Sequence, residues 1–460
     1  PGPAEPRVST ATDIVSCRHC AATTTVPETF AERRRFFRRF RECPTCVEKR
    51  SQREARQTLY LSLLFLVGGV AAAAVGLPIG IVFINLFIMQ VAVVLMIIPH
   101  ELGHLLTARA LGLGAPAVLI GVGRRLFTTS AFGAKWELRA VPLGGLTLIS
   151  DRGLPGLRWR MWLAVLAGPV VSGLVLLAIW AVQILVVGRA SFGSLFDGFA
   201  PVAAFVWANI LILVTNLLPL RTTNVLGQKQ GNDGHLLLTL PFFSRDQIDE
   251  LRTMSAALEA HRLMLEDRDA EARARVDDAL ARHPDDIHLL NIRAALLLSA
   301  GDFSAGRRAF LELLEREERP LYRAMLSSNV AWSSMMVGGA ERIAEAERLS
   351  AEAMAALPFA NAVRIARGVT LTATDRPEEG LELLQGALAT EQEPAVRSTI
   401  MMAMAYAYTA IGKTADADAL IEAVRRRGGQ SAEIDNLHAK ILDLRPADDQ
   451  RPAAAAATLR

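Results

Sequence analysis

A chain of 460 residues with 51% hydrophobic and 21% charged residues has room for several domains, and its net charge of +3 is too small to signal a nucleic-acid partner. A mean hydropathy of +0.27 alongside that charge content points to a segregated chain, part membrane-embedded and part soluble. Residues 1–57 hold twelve Arg/Lys against seven Asp/Glu, with a cluster at Arg33, Arg34, Arg35, Arg38, Arg39 and Arg41. They lack a short apolar stretch, so no cleavable signal peptide is expected and the first membrane helix is its own insertion signal.

All four cysteines lie in this segment, as Cys17-Arg-His-Cys20 and Cys43-Pro-Thr-Cys46. Two CxxC knuckles at this spacing suit a closed, structural zinc site made of four cysteines, with no position left for substrate. Disulfides are disfavoured because each knuckle is too tight to pair with itself and the flanking charge suits a reducing compartment. His19, inside the first knuckle, is read as an exposed histidine.

Four apolar stretches follow: Leu59 to Val75, Ile79 to Leu106, Trp162 to Val187 and Pro201 to Leu220. Arginine and lysine gather before the first, between the second and third, and after the fourth. By the positive-inside rule both termini are therefore cytosolic. The second stretch ends in His100-Glu101-Leu102-Gly103-His104. Histidines at i and i+4 share one face of a helix, where both imidazoles reach one Zn²⁺, and the glutamate between them can act as base toward a water at the metal. Ionisable residues at membrane depth are costly and are kept for function. The pattern predicts a zinc protease working inside the membrane.

Residues 112–150, rich in glycine, β-branched and aromatic residues, read as short strands and turns. A strand here can offer its edge to an extended substrate backbone. Two histidines and a water leave zinc one protein ligand short. Asp233, in Asn232-Asp233-Gly234-His235, is the best candidate, with His235 and Glu137 as alternatives.

HELGH with Ala108, Val141-Pro-Leu-Gly-Gly145, Ala167-Gly-Pro169, Asn209, Asn216-Leu-Leu-Pro219 and Asp233-Gly234 together resemble, in order, the site-2 protease family of intramembrane zinc metalloproteases, over about residues 58–240. The resemblance implies His100, His104 and Asp233 as zinc ligands, Glu101 as general base, and Asn216 as a group that positions substrate or stabilises the oxyanion. The family's Asp-Gly follows closely on the proline of Asn-x-x-Pro. Here Arg221 to Asn232 intervene, as a loop that returns Asp233 to the metal or a gate over the site.

Beyond residue 250 the chain alternates amphipathic helices with a loose period in the mid-thirties, in units ending near Pro284, Pro358 and Pro394. Ala405 to Lys413 resembles the first helix and turn of a tetratricopeptide repeat. Stacked helix pairs suit docking of a protein or peptide. The expected fold is mainly α: a disordered tail (1–16), a four-cysteine zinc ribbon (17–56), a four-span membrane metalloprotease core with short β strands between spans two and three (57–245), a C-terminal α-solenoid (250–443) and a second disordered tail (444–460). The expected function is an intramembrane zinc endopeptidase with one catalytic and one structural zinc. It would cut a membrane-anchored protein in the lipid bilayer, in a bacterial cytoplasmic membrane, under control of its cytosolic modules. The competing reading is a catalytically silent membrane scaffold.

Overall fold

The computed structural model describes residues 14–35, 38–223 and 229–445. Two compact units make up the chain: residues 45–256, and residues 1–44 with 257–460. Most of the two predicted tails lies outside the described residues, but Val15–Ser16 already forms a strand and Leu444 closes a helix.

In the second of these units the N-terminal segment folds as two small hairpins. β1 (Val15–Ser16) pairs with β2 (Thr23–Thr24), and β3 (Ala31–Arg35) with β4 (Arg38–Glu42). Helices then follow one another from Asp269 to Leu444 with short turns. Their starts are written locally. Asp286 accepts from the backbone N–H groups of His288 and Leu289, Asp302 from Ala305 and Ser431 from Ile434, while Pro320, Pro377 and Pro394 open their helices. Pro394 thus begins a helix. One apolar core containing Phe310, Met335, Leu384, Ile400 and Ile441 joins these helices. The N-terminal segment lies on this helical array. Thr24 Oγ1 donates to Ala356 O at 2.7 Å, Val26 packs with Ala324 and Ala356, and the Phe30 and Phe359 rings are 5.8 Å apart.

Residues 45–256 hold the apolar helices. α1 (Pro44–Ala74), α2 (Ile79–Ala110) and α3 (Leu157–Val187) are each long and apolar enough to cross a bilayer. α1 runs unbroken from the second cysteine knuckle, so the predicted end of the ribbon at 56 falls mid-helix. α4 (Pro201–Leu217), the predicted fourth span, has 17 residues. It stops because Leu218 adopts extended backbone ahead of Pro219, a position where proline disfavours helix in its predecessor. Polar residues inside these helices are bonded. Asn85 on α2, fully buried, donates to Leu195 O and Gly198 O and accepts from Ala200 N, tying down the loop between α3 and α4.

Between α2 and α3 the chain forms the expected strands, as β5 (Gly114–Ala131) and β6 (Ala134–Ser150), joined at Phe132 and Gly133, both at positive φ as a two-residue hairpin turn requires. The first part of β5 takes partners from both ends of β6: Val118 pairs with Trp136 and with Thr147. The insertion after α4 is a small hairpin, β7 (Arg221–Thr223) with β8 (Lys229–Gly231), followed by α5 (Asp233–Thr239) and α6 (Arg245–Leu265). Trp162 Nε1 on α3 donates to Leu237 O, and Arg252 on α6 pairs with the buried Asp151 at 3.2 Å.

Candidate metal centre

His100, Glu101 and His104 are 2%, 4% and 5% exposed, so three ionisable groups on a largely apolar helix face protein and not lipid. Asp233 reaches them from outside α2, with Oδ2 3.0 Å from His100 Nε2 and 3.3 Å from His104 Nε2. The two Nε2 atoms are 3.3 Å apart. A tetrahedral zinc ion with bonds of about 2.0–2.1 Å sets its ligands about 3.3 Å apart, so these three atoms fit one face of its coordination shell and leave a fourth position open. Zinc is the metal this donor set suits. The far nitrogens are also engaged: His104 Nδ1 meets the Ala164 carbonyl at 2.8 Å, and His100 Nδ1 meets Ser172 Oγ at 2.9 Å.

Asp233 arrives through a brace. β7 and β8 pair from Arg221↔Gly231 to Thr223↔Lys229 and so carry the chain out and back. Asn232 then locks the return. Its Oδ1 accepts from His235 N, capping α5, and from Leu220 N, while its Nδ2 donates to Thr215 O and Leu218 O at the end of α4. This leaves Asp233 as the first residue of α5, where a carboxylate is favoured by the helix dipole.

The Glu101 carboxylate is fixed by the β5–β6 hairpin. Thr147 Oγ1 donates to Glu101 Oε2 at 2.7 Å, and a Cβ at Gly145 would stand 2.3 Å from Oε1. α3 closes the opposite side. A Cβ at Gly168 would stand 2.2 Å from His104 Nε2 and 2.9 Å from His100 Nε2, so only glycine lets this backbone pass the imidazoles.

The four cysteine sulfurs lie within 4.8 Å of one another and none is in a disulfide. Burial pushes the Cys17 thiol up, but the backbone N–H groups of Cys43, His19 and Cys20 turn toward it and hold it at about 6, against 9.0 for a free thiol. Converging N–H groups of this kind favour thiolate, the form that ligates zinc. His19 is exposed and its Nε2 lies 2.9 Å from Glu42 Oε1.

The structure thus brings His100, His104, Glu101 and Asp233 together at one site, and the four cysteines at another. The other two ligand candidates are engaged elsewhere. His235 Nε2 accepts from Arg221 Nε at 2.8 Å, and Glu137 sits among Arg125, Lys135 and Arg139 on the hairpin. Asn216 donates to Ile212 O on its own helix. Thr147 and Ser172 escaped the sequence reading. Gly168 entered it only as part of Ala167-Gly-Pro169, and Asn232 only as the residue before Asp-Gly, a capping residue type.

Residues 88–218 match the model of Peptidase family M50. A candidate zinc metalloprotease of Brucella suis biovar 1 is 31% identical over 149 residues, covering 27% of this chain and 38% of that protein. One of Rhizobium meliloti is 30% identical over 141 residues, covering 25% and 38%. The chain therefore spans well under half the length of these relatives. Among solved structures, a thermophilic TPR protein of Thermus thermophilus is similar at a TM-score of 0.32 and 19% identity, over 41% of this chain and 98% of that one.

Proposed function

We propose that this chain, a membrane protein that carries a peptidase family M50 domain of the site-2 protease type at residues 88–218, is an intramembrane zinc metalloendopeptidase. One observation carries the reading: Nε2 of His100, Nε2 of His104 and Oδ2 of Asp233 converge at 3.0–3.3 Å beside the buried carboxylate of Glu101.

The chemistry follows from that arrangement. Bound zinc supplies the Lewis acidity that polarises a scissile carbonyl and brings the pKa of water toward neutrality. Glu101 takes a proton from the attacking water and delivers it to the leaving amine. Thr147 holds that carboxylate in place, and Asp233 with the two histidines would hold the metal. The substrate is a membrane-anchored protein, cut in or near its transmembrane segment. Peptide bonds in an intact helix are closed to attack, so the substrate unwinds locally. Gly144 to Leu146, exposed on β6 next to Glu101, offer main-chain partners to the extended strand that results. Asn216, at the end of α4, serves to position that strand or its oxyanion.

The four cysteines hold a second, structural zinc, and the helices beyond Asp269 form a docking or regulatory module with both termini in the cytosol of a bacterium. Support for the docking role comes from a cavity of about 920 Å³ between these helices and the end of α6, lined by Trp332, Asn329, Arg397 and Glu433 with His261 of α6.

The test compares membrane proteomes of cells carrying the wild-type chain and Glu101→Gln, which keeps the shape of the residue and removes the base. A transmembrane fragment accumulating only in the variant would establish proteolysis and identify the substrate. Identical proteomes under several stresses would instead favour a silent scaffold.

A further inference from the structure

The two metal-facing histidines are oriented by different means. His104 Nδ1 lies 2.8 Å from the Ala164 carbonyl. A carbonyl only accepts, so Nδ1 carries the proton and Nε2 presents its lone pair to the centre of the site. Among the described residues, His100 has no such main-chain partner on its far side. Its Nδ1 lies 2.9 Å from the hydroxyl of Ser172, which is 2% exposed. A serine hydroxyl in a helix can turn its own hydrogen toward the carbonyl one turn back, leaving a lone pair for an imidazole N–H. Ser172 is held in turn: Asn209 on α4, 1% exposed, donates through Nδ2 to the Ser172 carbonyl at 3.0 Å. Ala164, Gly168 and Ser172 recur every four residues on α3. They form one stripe that meets one histidine, passes both imidazoles and meets the other.

We infer that Ser172, braced by Asn209, is a positioning residue of the metal centre: its hydroxyl keeps the proton on His100 Nδ1 and so keeps Nε2 free for the metal. This rests on the metalloprotease reading above. A metal-ligating histidine whose outer partner is removed loses orientation and basicity, at a cost of roughly 10–100-fold in metal affinity. His104, whose partner is a main-chain carbonyl, is unaffected by any side-chain change at position 172. The two histidines therefore become unequal when Ser172 is altered.

The experiment titrates the purified, zinc-loaded full chain with a chelator and follows the zinc retained, with thermal unfolding measured in parallel. The zinc that His104→Ala removes defines the share belonging to this centre and separates it from zinc on the cysteines. Ser172→Ala should release that share at roughly 10–100-fold lower free chelator, with unfolding unchanged, and Ser172→Thr, which keeps the hydroxyl, should restore retention. Asn209→Ala should shift release in the same direction by less. Should Ser172→Ala unfold, the comparison of Ser172→Thr with the isosteric Ser172→Val decides in its place. Release of this zinc at the wild-type chelator concentration from a hydroxyl-free variant would overturn the inference. A wild-type chain from which His104→Ala removes no zinc would overturn the metal-centre reading itself, and this inference with it.

Discussion

Thr147 donates its hydroxyl to Oε2 of Glu101 across 2.7 Å, and the same hydroxyl lies 3.2 Å from the Glu101 carbonyl. One residue of an edge strand thus sits beside both the carboxylate and the carbonyl of the residue assigned as base, with its single proton on the nearer carboxylate. A hydrogen bond to a charged group contributes about 1.5–3 kcal/mol, or roughly 10–100-fold in a rate that depends on it. Thr147→Val, which keeps the shape and loses the hydroxyl, should slow cleavage by about that factor with zinc content intact, while Thr147→Ser should retain most of the rate. Once a substrate is in hand, single-turnover cleavage measures this directly; an unchanged rate for the valine variant would remove Thr147 from the mechanism.

Gly168 marks the tightest approach to the metal centre. A methyl group there would stand 2.2 Å from His104 Nε2, the atom that must face the ion. Gly168→Ala should abolish binding of the catalytic zinc and with it all cleavage. Metal analysis of the purified variant, beside circular dichroism to show that its helices persist, checks this. Full zinc occupancy would mean that α3 moves aside more freely than its packing suggests.

Asn232 joins the end of α4 to the start of α5 through bonds to Thr215, Leu218, Leu220 and His235. Loss of a capping side chain alone costs about 1 kcal/mol, and here two donors to α4 go with it. Asn232→Ala should weaken zinc retention without removing any ligand, and Asp233→Ala should eliminate it. Zinc stoichiometry of the two variants, measured side by side, orders them. Wild-type zinc retention in Asp233→Ala would deny Asp233 its place as third ligand.

The cysteine knuckles are predicted to be structural. Cys43→Ser, or mild chelation of the cysteine site, should loosen the segment that rests on the helices through Thr24 and Ala356. Hydrogen exchange should rise within residues 14–43, while the buried helix Pro394–Ala410 stays protected. Exchange that stays slow at Val15–Thr24 after complete cysteine-zinc removal would show that packing alone maintains the fold there.

Local chemistry was enough to read much of this protein. The i, i+4 spacing of His100 and His104 fixes a shared helical face because helical geometry repeats every 3.6 residues, whatever surrounds it. Hydropathy marks the apolar parts of α1 to α3 because water must be excluded from the bilayer core, although α1 itself begins at Pro44, and the spacing of the paired knuckles predicts a cysteine cluster. What joins distant segments was not legible. Residues 221–232 could be read as a loop returning Asp233 to the metal or as a gate, but not as the β7–β8 hairpin and Asn232 brace that bring Asp233 within 3.0 Å of His100. Nor does the sequence show that Thr147 meets Glu101, or that Ser172 backs His100. The choice among Asp233, His235 and Glu137 likewise needed the fold, which engages the latter two with arginines. The pattern along the chain determined which residue types were available for metal chemistry. Only the packing of α3, the hairpin and α5 against α2 decided which of them meet, because hydrogen bonds and ligand geometry act over about 3 Å between residues that sequence separates by dozens.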